Sequence, residues 1–298
     1  MAELQEGAKQ GKISVRTLSF HFLPSCNPAI LQSCHPAISP SRRVSVLLFV
    51  AAALGGALNA VAGGGSFLTL PALIVAGVSP VVANATSTLA LWPASLSSTV
   101  AYRRELRSSR QWLVVLGVTS VLGGLAGALL LVRTSDDAFL RRLPWLMLIA
   151  AATFTFGQKL RPAPKAGAVR SHPFEHGAAW RPALLGVVFA QLLIATYGGY
   201  FGGGMGITML ATMALAGMTN IHEMNGLKSF LGVAINGFAL ATFIITGTIS
   251  WRYGLAMAAG ATFGGYMTAS FARKVDPRYV RWFVIIVGWI MTAYFFWR

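Results

Sequence analysis

The sequence predicts an all-α membrane protein: a polytopic helical bundle of two homologous repeats, with about eight spans plus two short re-entrant or broken helices. Three observations lead there. Of 298 residues, 55% are hydrophobic and only 11% are charged, where a soluble domain carries about 25% charged residues. Apolar windows recur at 44–62, 81–101, 112–132, 183–195, 230–246, 254–272 and 280–297. Most reach, with their flanks, the roughly 20 helical residues needed to cross a hydrocarbon layer. The many short alternating segments of a membrane barrel are missing from the sequence. The third observation is an internal repeat, developed below.

Residues 1–43 are polar and contain Pro and Ser without an apolar face, and they read as a loosely ordered cytoplasmic or accessory tail. Cys26 and Cys34 both fall in this tail, so they cannot staple the core, and His35 has no second ligand pair for zinc. The next stretch, SRRVSVLLFVAAALGGALNAVAG, has a twin arginine, an apolar core and an A-x-A-like end at Ala60–Ala62, the pattern of a secretion signal. Its counterpart deep in the chain, beyond the reach of a signal peptidase, favours a retained first helix.

Sliding the sequence on itself by 139 to 141 positions aligns the halves. Gly63, Gly64 and Gly65 fall on Gly202, Gly203 and Gly204; Ala76 and Gly77 on Ala216 and Gly217; Asn84 on Asn225. Trp112 meets Trp251, Asp136 meets Asp276 and Arg141 meets Arg281. The expected organisation is repeat 1 over 44–158, a basic linker KLRPAPKAGAVRSHPFEHGAAWR over 159–181, and repeat 2 over 182–298.

Each repeat reads as a helix, the GGG break, a short apolar piece, a small loop and three longer helices. The short pieces, 66–77 and 205–217, make roughly 18 Å of helix at 1.5 Å per residue, too little to span. Broken backbone at membrane depth is tolerated where protein or a wet cavity satisfies it, and paired breaks in two repeats point to a transporter site. The loop 103–110, with four arginines, and the linker 159–181 are both expected in the cytoplasm. Re-entrant short pieces give parallel repeats with a cytoplasmic N-terminus; short pieces that cross give inverted repeats with Arg273, Lys274, Arg278 and Arg281 inside. The sequence reading favours the first.

Acidic residues are nearly missing from the spans: Glu105, Asp136, Asp137, Glu175 and Asp276 sit in loops, and only Glu223 comes near a span. The same segment, TNIHEMNGLKSF, holds Lys228, followed by about twenty uncharged residues. An ammonium at mid-membrane costs about 2.5 to 3.5 kcal/mol, so Lys228 either faces substrate or snorkels to the interface. NATST offers Asn84, Thr86, Ser87 and Thr88, and NGLKS offers Asn225, Lys228 and Ser229. Hydroxyls, amides and one lysine suit an oxyanion better than a metal. The N-terminal ends of the short helices at Ser66 and Met205 add to that preference. The candidate substrate-binding residues are Asn59, Gly63, Gly64, Gly65, Ser66, Asn84, Thr86 and Ser87, with Gly202, Gly203, Gly204, Asn225, Lys228 and Ser229. Gly123, Gly127, Gly260 and Gly264 read instead as close helix packing.

No catalytic, metal or cofactor site is expected. GGGSF has no following Gly-Lys-Ser/Thr, so it is not a phosphate loop. His172 and His176 have a usable spacing but lie in the linker. The net charge of +16 suggests nucleic acid in a soluble protein, but these basic residues lie between windows or in the tail, where they set topology and meet anionic lipid. The expected partners are the lipid bilayer and a small anionic substrate; nothing fixes an oligomeric state.

NAVAGGGSFLTLPALIVAGVSPVVANATST and FGGGMGITMLATMALAGMTNIHEMNGLKSFLGVAINGFALATFIITGTISW resemble the TauE/SafE family of sulfite-exporter-like membrane proteins, over essentially 44–298. The resemblance implies a multi-pass plasma-membrane permease that exports or exchanges small anions such as sulfite, sulfonates or other organic acids. It carries over onto Gly63 to Gly65, Pro71, Asn84 and Ser87, and onto Gly202 to Gly204, Asn225, Lys228 and Ser229. Leu210 departs from the pattern, standing where the first half has Pro71. A membrane enzyme using His222 and Glu223, or a passive anion channel, are the competing readings of the same cavity.

Overall fold

The computed structural model describes residues 42–61, 63–106, 110–157, 181–218, 220–271 and 277–297. The tail cysteines with His35, and His172 and His176 of the linker, lie outside the described residues. The described residues fold into ten α-helices: α1 Arg42–Val61, α2 Ser66–Val75, α3 Pro80–Ala101, α4 Arg110–Val132, α5 Asp136–Phe156, α6 Arg181–Tyr200, α7 Met205–Leu215, α8 Ile221–Ile245, α9 Trp251–Phe271 and α10 Pro277–Trp297. No strand occurs among them. The long and short helices fall in the expected order, α2 and α7 being the short pieces after the glycine breaks.

Local chemistry sets the helix ends. Gly77 (φ 86°) and Gly217 (φ 87°) take the left-handed conformation that stops α2 and α7. Val78 N–H then donates back to Leu73 C=O and Met218 N–H to Met213 C=O, both at 3.0 Å. Pro80 at the first turn of α3 needs no N–H partner. Ser135 caps α5, with Asp136 and Asp137 in the first turn to complement its dipole, and the Asn220 side chain caps α8.

Directions follow from named contacts. Trp92 of α3 donates to Val233 C=O of α8 at 3.2 Å. Tyr102, just after α3, packs beside Gly226 near the start of α8, and Ser250, just after α8, bonds Thr86 near the start of α3. The helices α3 and α8 therefore run antiparallel. We call the face where α3 begins the upper face and the face where it ends the lower face. The sequence favoured parallel repeats, whereas α3 and α8, which the repeat offset pairs, run in opposite directions. The short helix α2 leads to the upper face, where α3 begins, and α7 leads to the lower face, where α8 begins.

Helix pairing crosses between the halves: α1 packs on α9, α6 on α4, α4 on α8, α3 on α9, and α5 on α10. Exchange of the halves maps this set onto itself. The α1–α9 and α4–α6 pairs are backbone-close at the expected small residues. A Cβ at Gly264 would overlap the Ala53 carbonyl, one at Gly56 the Ala261 carbonyl, and one at Gly127 the Thr196 carbonyl. Gly123 and Gly260 likewise abut the backbone of Leu192 and Phe49. The packing reading of Gly123, Gly127, Gly260 and Gly264 agrees with these contacts.

Among the described residues, three segments are long and apolar enough to cross a membrane by length and composition alone: Gln111–Val132, Asp136–Phe156 and Ile221–Ile245. The 22-residue α3 is not one of them. Asn84, Thr86, Ser87, Thr88, Ser95, Ser97, Ser98 and Thr99 lower its hydropathy, and this polar helix borders the cavity described next.

Candidate functional site

The two breaks meet. The chain turns at Gly63 (φ 79°) after α1 and at Gly202 (φ 83°) after α6, left-handed conformations that a side chain would strain. A Cβ at Gly63 would touch Gly206 Cα at 3.9 Å, and one at Gly202 would touch Ser66 Oγ at 3.9 Å. The N-terminal ends of α2 and α7 thus converge from opposite halves. Between them and the crossing pair α3/α8 lies a cavity of about 60 Å³.

Four elements line it. Asn59, Gly63 and Ser66 come from the first break, and Gly202, Met205, Gly206 and Met209 from the second. From α3 come Thr88, Leu91, Ser95 and Ser98, and from α8 come Lys228, Ser229, Gly232 and Asn236. Both sets follow the three- and four-residue spacing that keeps side chains on one helical face. Lys228 is the one charged group among these lining residues. Its stem lies over α7, where a Cβ at Gly206 would come within 3.3 Å of Lys228 Cδ.

The α3 hydroxyls are committed to their own helix. Thr88 donates to Asn84 C=O at 3.1 Å, Ser95 to Leu91 C=O at 3.3 Å and Ser98 to Ala94 C=O at 3.1 Å. Asn59 Nδ2 donates to Ser95 Oγ at 3.1 Å, fixing the end of α1 against α3. The lining side chains that carry donors are the Lys228 ammonium, the Asn59 and Asn236 amides and the hydroxyls of Ser66, Thr88, Ser95, Ser98 and Ser229.

Of the residues expected from sequence, Asn59, Gly63, Ser66, Gly202, Lys228 and Ser229 line the cavity. The others stand elsewhere. Asn84, 2% exposed, donates from Nδ2 to Tyr200 C=O at 2.9 Å. Thr86 Oγ1 accepts from Ser250 N–H at 3.1 Å, and Ser87 shares a 2.6 Å hydroxyl bond with Thr69. A Cβ at Gly64 would press on Val284 and Phe154, one at Gly65 on the Gly55 carbonyl, one at Gly203 on Phe201, and one at Gly204 on Ala150. These four glycines pack rather than line. Asn225 is half-buried and outside the lining. Sequence reading missed Ser95, Ser98 and Asn236, although the i, i+7 and i+10 positions from Thr88, and the i+8 position from Lys228, place them on the same faces.

His222 and Glu223 stand at the start of α8, where Asn220 Oδ1 accepts from both N–H groups at 3.0 and 3.4 Å, and neither lines the cavity. No cluster of three or more His, Cys, Asp or Glu able to hold a metal occurs among the described residues.

A helical bundle with paired breaks converging on an internal polar cavity is the architecture of a membrane transporter, and comparison with known proteins agrees. The sequence profile "Sulfite exporter TauE/SafE" matches residues 48–295, and the chain belongs to that family. It is 31% identical over 246 residues to the probable membrane transporter protein ORF9 of Sinorhizobium sp, covering 81% of this chain and 88% of the relative. It is 29% identical over 249 residues to the probable membrane transporter protein YfcA of Escherichia coli K12, covering 83% and 87%. A probable membrane transporter protein of Haemophilus influenzae is 28% identical over 254 residues, covering 83% and 92%. No solved structure matches the chain.

Proposed function

We propose that the protein is a plasma-membrane secondary carrier for a small anion such as sulfite, a small sulfonate or a carboxylate. The observation that carries this reading is Lys228 in a central cavity whose described lining holds no acid. The N-terminal ends of α2 and α7 add partial positive charge on either side. By the measure in which one water needs about 10–15 Å³, a cavity of about 60 Å³ holds roughly four to six water-sized atoms. That is the size of a small oxyanion.

The two halves act as inverted repeats around this site, 44–158 against 182–298. On this reading the lower face, where α3 ends and α4, α6, α8 and α10 begin, is cytoplasmic, since the sequence between the neighbouring helices, 102–110, 159–181 and 272–281, carries four, five and four Lys or Arg. Charge at the upper face is sparser. The carrier reading is favoured over an enzyme because His222 and Glu223, the acid–base candidates, stand outside the cavity.

The test is counterflow of labelled sulfite in proteoliposomes. Saturable uptake supports a carrier. Flux that never saturates and follows voltage alone makes the pathway a channel. A panel of sulfite, thiosulfate, sulfonates and carboxylates, read as thermal stabilisation of the purified protein, identifies the anion.

A further inference from the structure

The two halves give the cavity walls of different chemistry. At the repeat offset Asn59 corresponds to Gly198, Ser66 to Met205, Leu70 to Met209 and Leu91 to Gly232. The first break brings to the lining the Asn59 amide and the Ser66 hydroxyl. The second brings the thioethers of Met205 and Met209, which are 9% and 1% exposed.

Glycines make room for the second wall. In the first half Asn59 Nδ2 reaches Ser95 Oγ at 3.1 Å, a polar bond between α1 and α3. Gly198 of α6 has no side chain with which to repeat that bond. The space over it is taken by Met205, whose Sδ stands 2.6 Å from the position a Cβ would occupy, with Ile235 Cγ2 at 3.2 Å. Met205 Cε lies 3.8 Å from the corresponding position at Gly232 of α8, where the first half has the bulk of Leu91. The Met205 side chain is thus held between α6 and α8 by two glycines, and Met209 follows it one turn along α7.

We infer that Met205 and Met209 set the selectivity of the cavity, admitting an anion with one apolar end and disfavouring one that carries oxygen on every side. This rests on the reading of the cavity as an anion site. A thioether has no proton to donate and is a weak acceptor. The charged end of an anion takes the donors of the lining, which leaves the methionines to the opposite end. A methyl group turned towards them gains contact and leaves water favourably. A hydroxyl or a further oxygen in the same place gives up its bonds to water and finds no donor in exchange. Acetate and bicarbonate isolate this difference, because they share charge and shape and differ by a methyl in place of a hydroxyl. Methanesulfonate and sulfate differ at the matching position. Pyramidal sulfite, whose oxygens all lie to one side of sulfur, belongs to the admitted class. A wholly apolar pocket separates a methyl from a hydroxyl by about 100-fold, and a wall of two side chains with polar neighbours gives about tenfold.

Isothermal titration of the purified full chain with acetate, bicarbonate, methanesulfonate and sulfate tests this. The native chain binds acetate about tenfold or more tighter than bicarbonate, and methanesulfonate tighter than sulfate. Met205→Gln and Met209→Gln keep the length of the side chain but put an amide donor in the wall, and the acetate preference shrinks to within about threefold. Met205→Leu stays apolar and keeps it. Where an amide prevents folding, Met205→Ser, the residue of the first half, takes its place. The ratio of two affinities within one variant cancels a general loss of binding or of folded protein. Equal affinity of the native chain for acetate and bicarbonate overturns the selectivity and leaves the anion reading standing. A preference that persists undiminished in the substituted chains overturns the assignment to the methionines. Binding of none of the four by the native chain sinks the anion reading, and the selectivity with it.

Discussion

Replacing Lys228 by methionine isolates the charge from the packing. Methionine reaches along the same path, so the contact that Lys228 Cδ makes over Gly206 is preserved while the ammonium is lost. Two unit charges 4 Å apart attract by about 4 kcal/mol at an effective dielectric of 20. Part of that is offset by desolvation of the anion, and hydrogen bonds to charged groups net about 1.5–3 kcal/mol. At 1.4 kcal/mol per factor of ten, affinity for the anion falls by roughly 10- to 150-fold. The assay is isothermal titration of purified Lys228→Met with the anion that stabilises the native chain most, alongside size-exclusion chromatography to establish that the variant is folded. Lys228→Arg is the companion variant: it keeps the charge but fills part of a cavity of about 60 Å³, so it binds more weakly than the native chain yet better than Lys228→Met. A folded Lys228→Met with a Kd within about threefold of the native value refutes the assignment, because a desolvated ammonium bonded to the anion is worth about 1.5–3 kcal/mol.

Gly206→Val drives two methyls into the Lys228 stem, where even a Cβ sits at 3.3 Å; it lowers anion affinity as Lys228→Met does, measured in the same titration, while Gly186→Ala, which meets nothing within 4 Å, leaves affinity unchanged. Gly264→Leu forces α1 and α9 apart and costs about 1–3 kcal/mol or prevents folding, seen as lower thermal stability or yield in detergent; a full-yield, fully stable variant contradicts the close packing at Ala53. Anions with more than about six non-hydrogen atoms exceed the cavity and give no thermal stabilisation, and a bulky sulfonate that stabilises as well as sulfite refutes the size limit. Thr69→Val removes one partner of the buried 2.6 Å bond to Ser87 and lowers stability by about 1–3 kcal/mol, read by thermal unfolding.

Helix order, the short pieces and their glycine punctuation were legible in the sequence because each depends on local pattern: apolar windows, Gly at a left-handed turn, Pro at a helix start. Close packing of Gly260 and Gly264 was legible for the same reason, since small residues at i and i+4 have few other uses in a membrane helix. The direction of the repeats was not. It depends on which helices pack across the halves, which local pattern and the charge of the loops do not record. The site was half legible. Lys228 stood out by its cost, whereas Asn84, Thr86 and Ser87 drew attention for their polarity, which they spend on helix-to-helix bonds. Ser95 and Asn236 lay in less polar surroundings, and only the helical faces chosen by the α3/α8 crossing bring them to the cavity.

The hydroxyl bonds along α3 bear on how tightly such a site can hold its ligand. Thr88, Ser95 and Ser98 already donate to carbonyls of their own helix, so turning a proton towards an anion exchanges one hydrogen bond for another. The gain per hydroxyl is then a difference between two bonds, smaller than the roughly 1 kcal/mol net of a bond newly made. On the proposed reading, affinity then comes mainly from the ammonium, and the hydroxyls tune selectivity. A second lysine at position 87 would about double the electrostatic term and slow release accordingly. It would also place a charge against Thr69, where Ser87 is 2% exposed and shares a 2.6 Å hydroxyl bond. The serine at 87 and the lysine at 228 therefore differ in surroundings as well as in charge: one is a buried neutral contact between helices, and the other stands in the lining of the cavity.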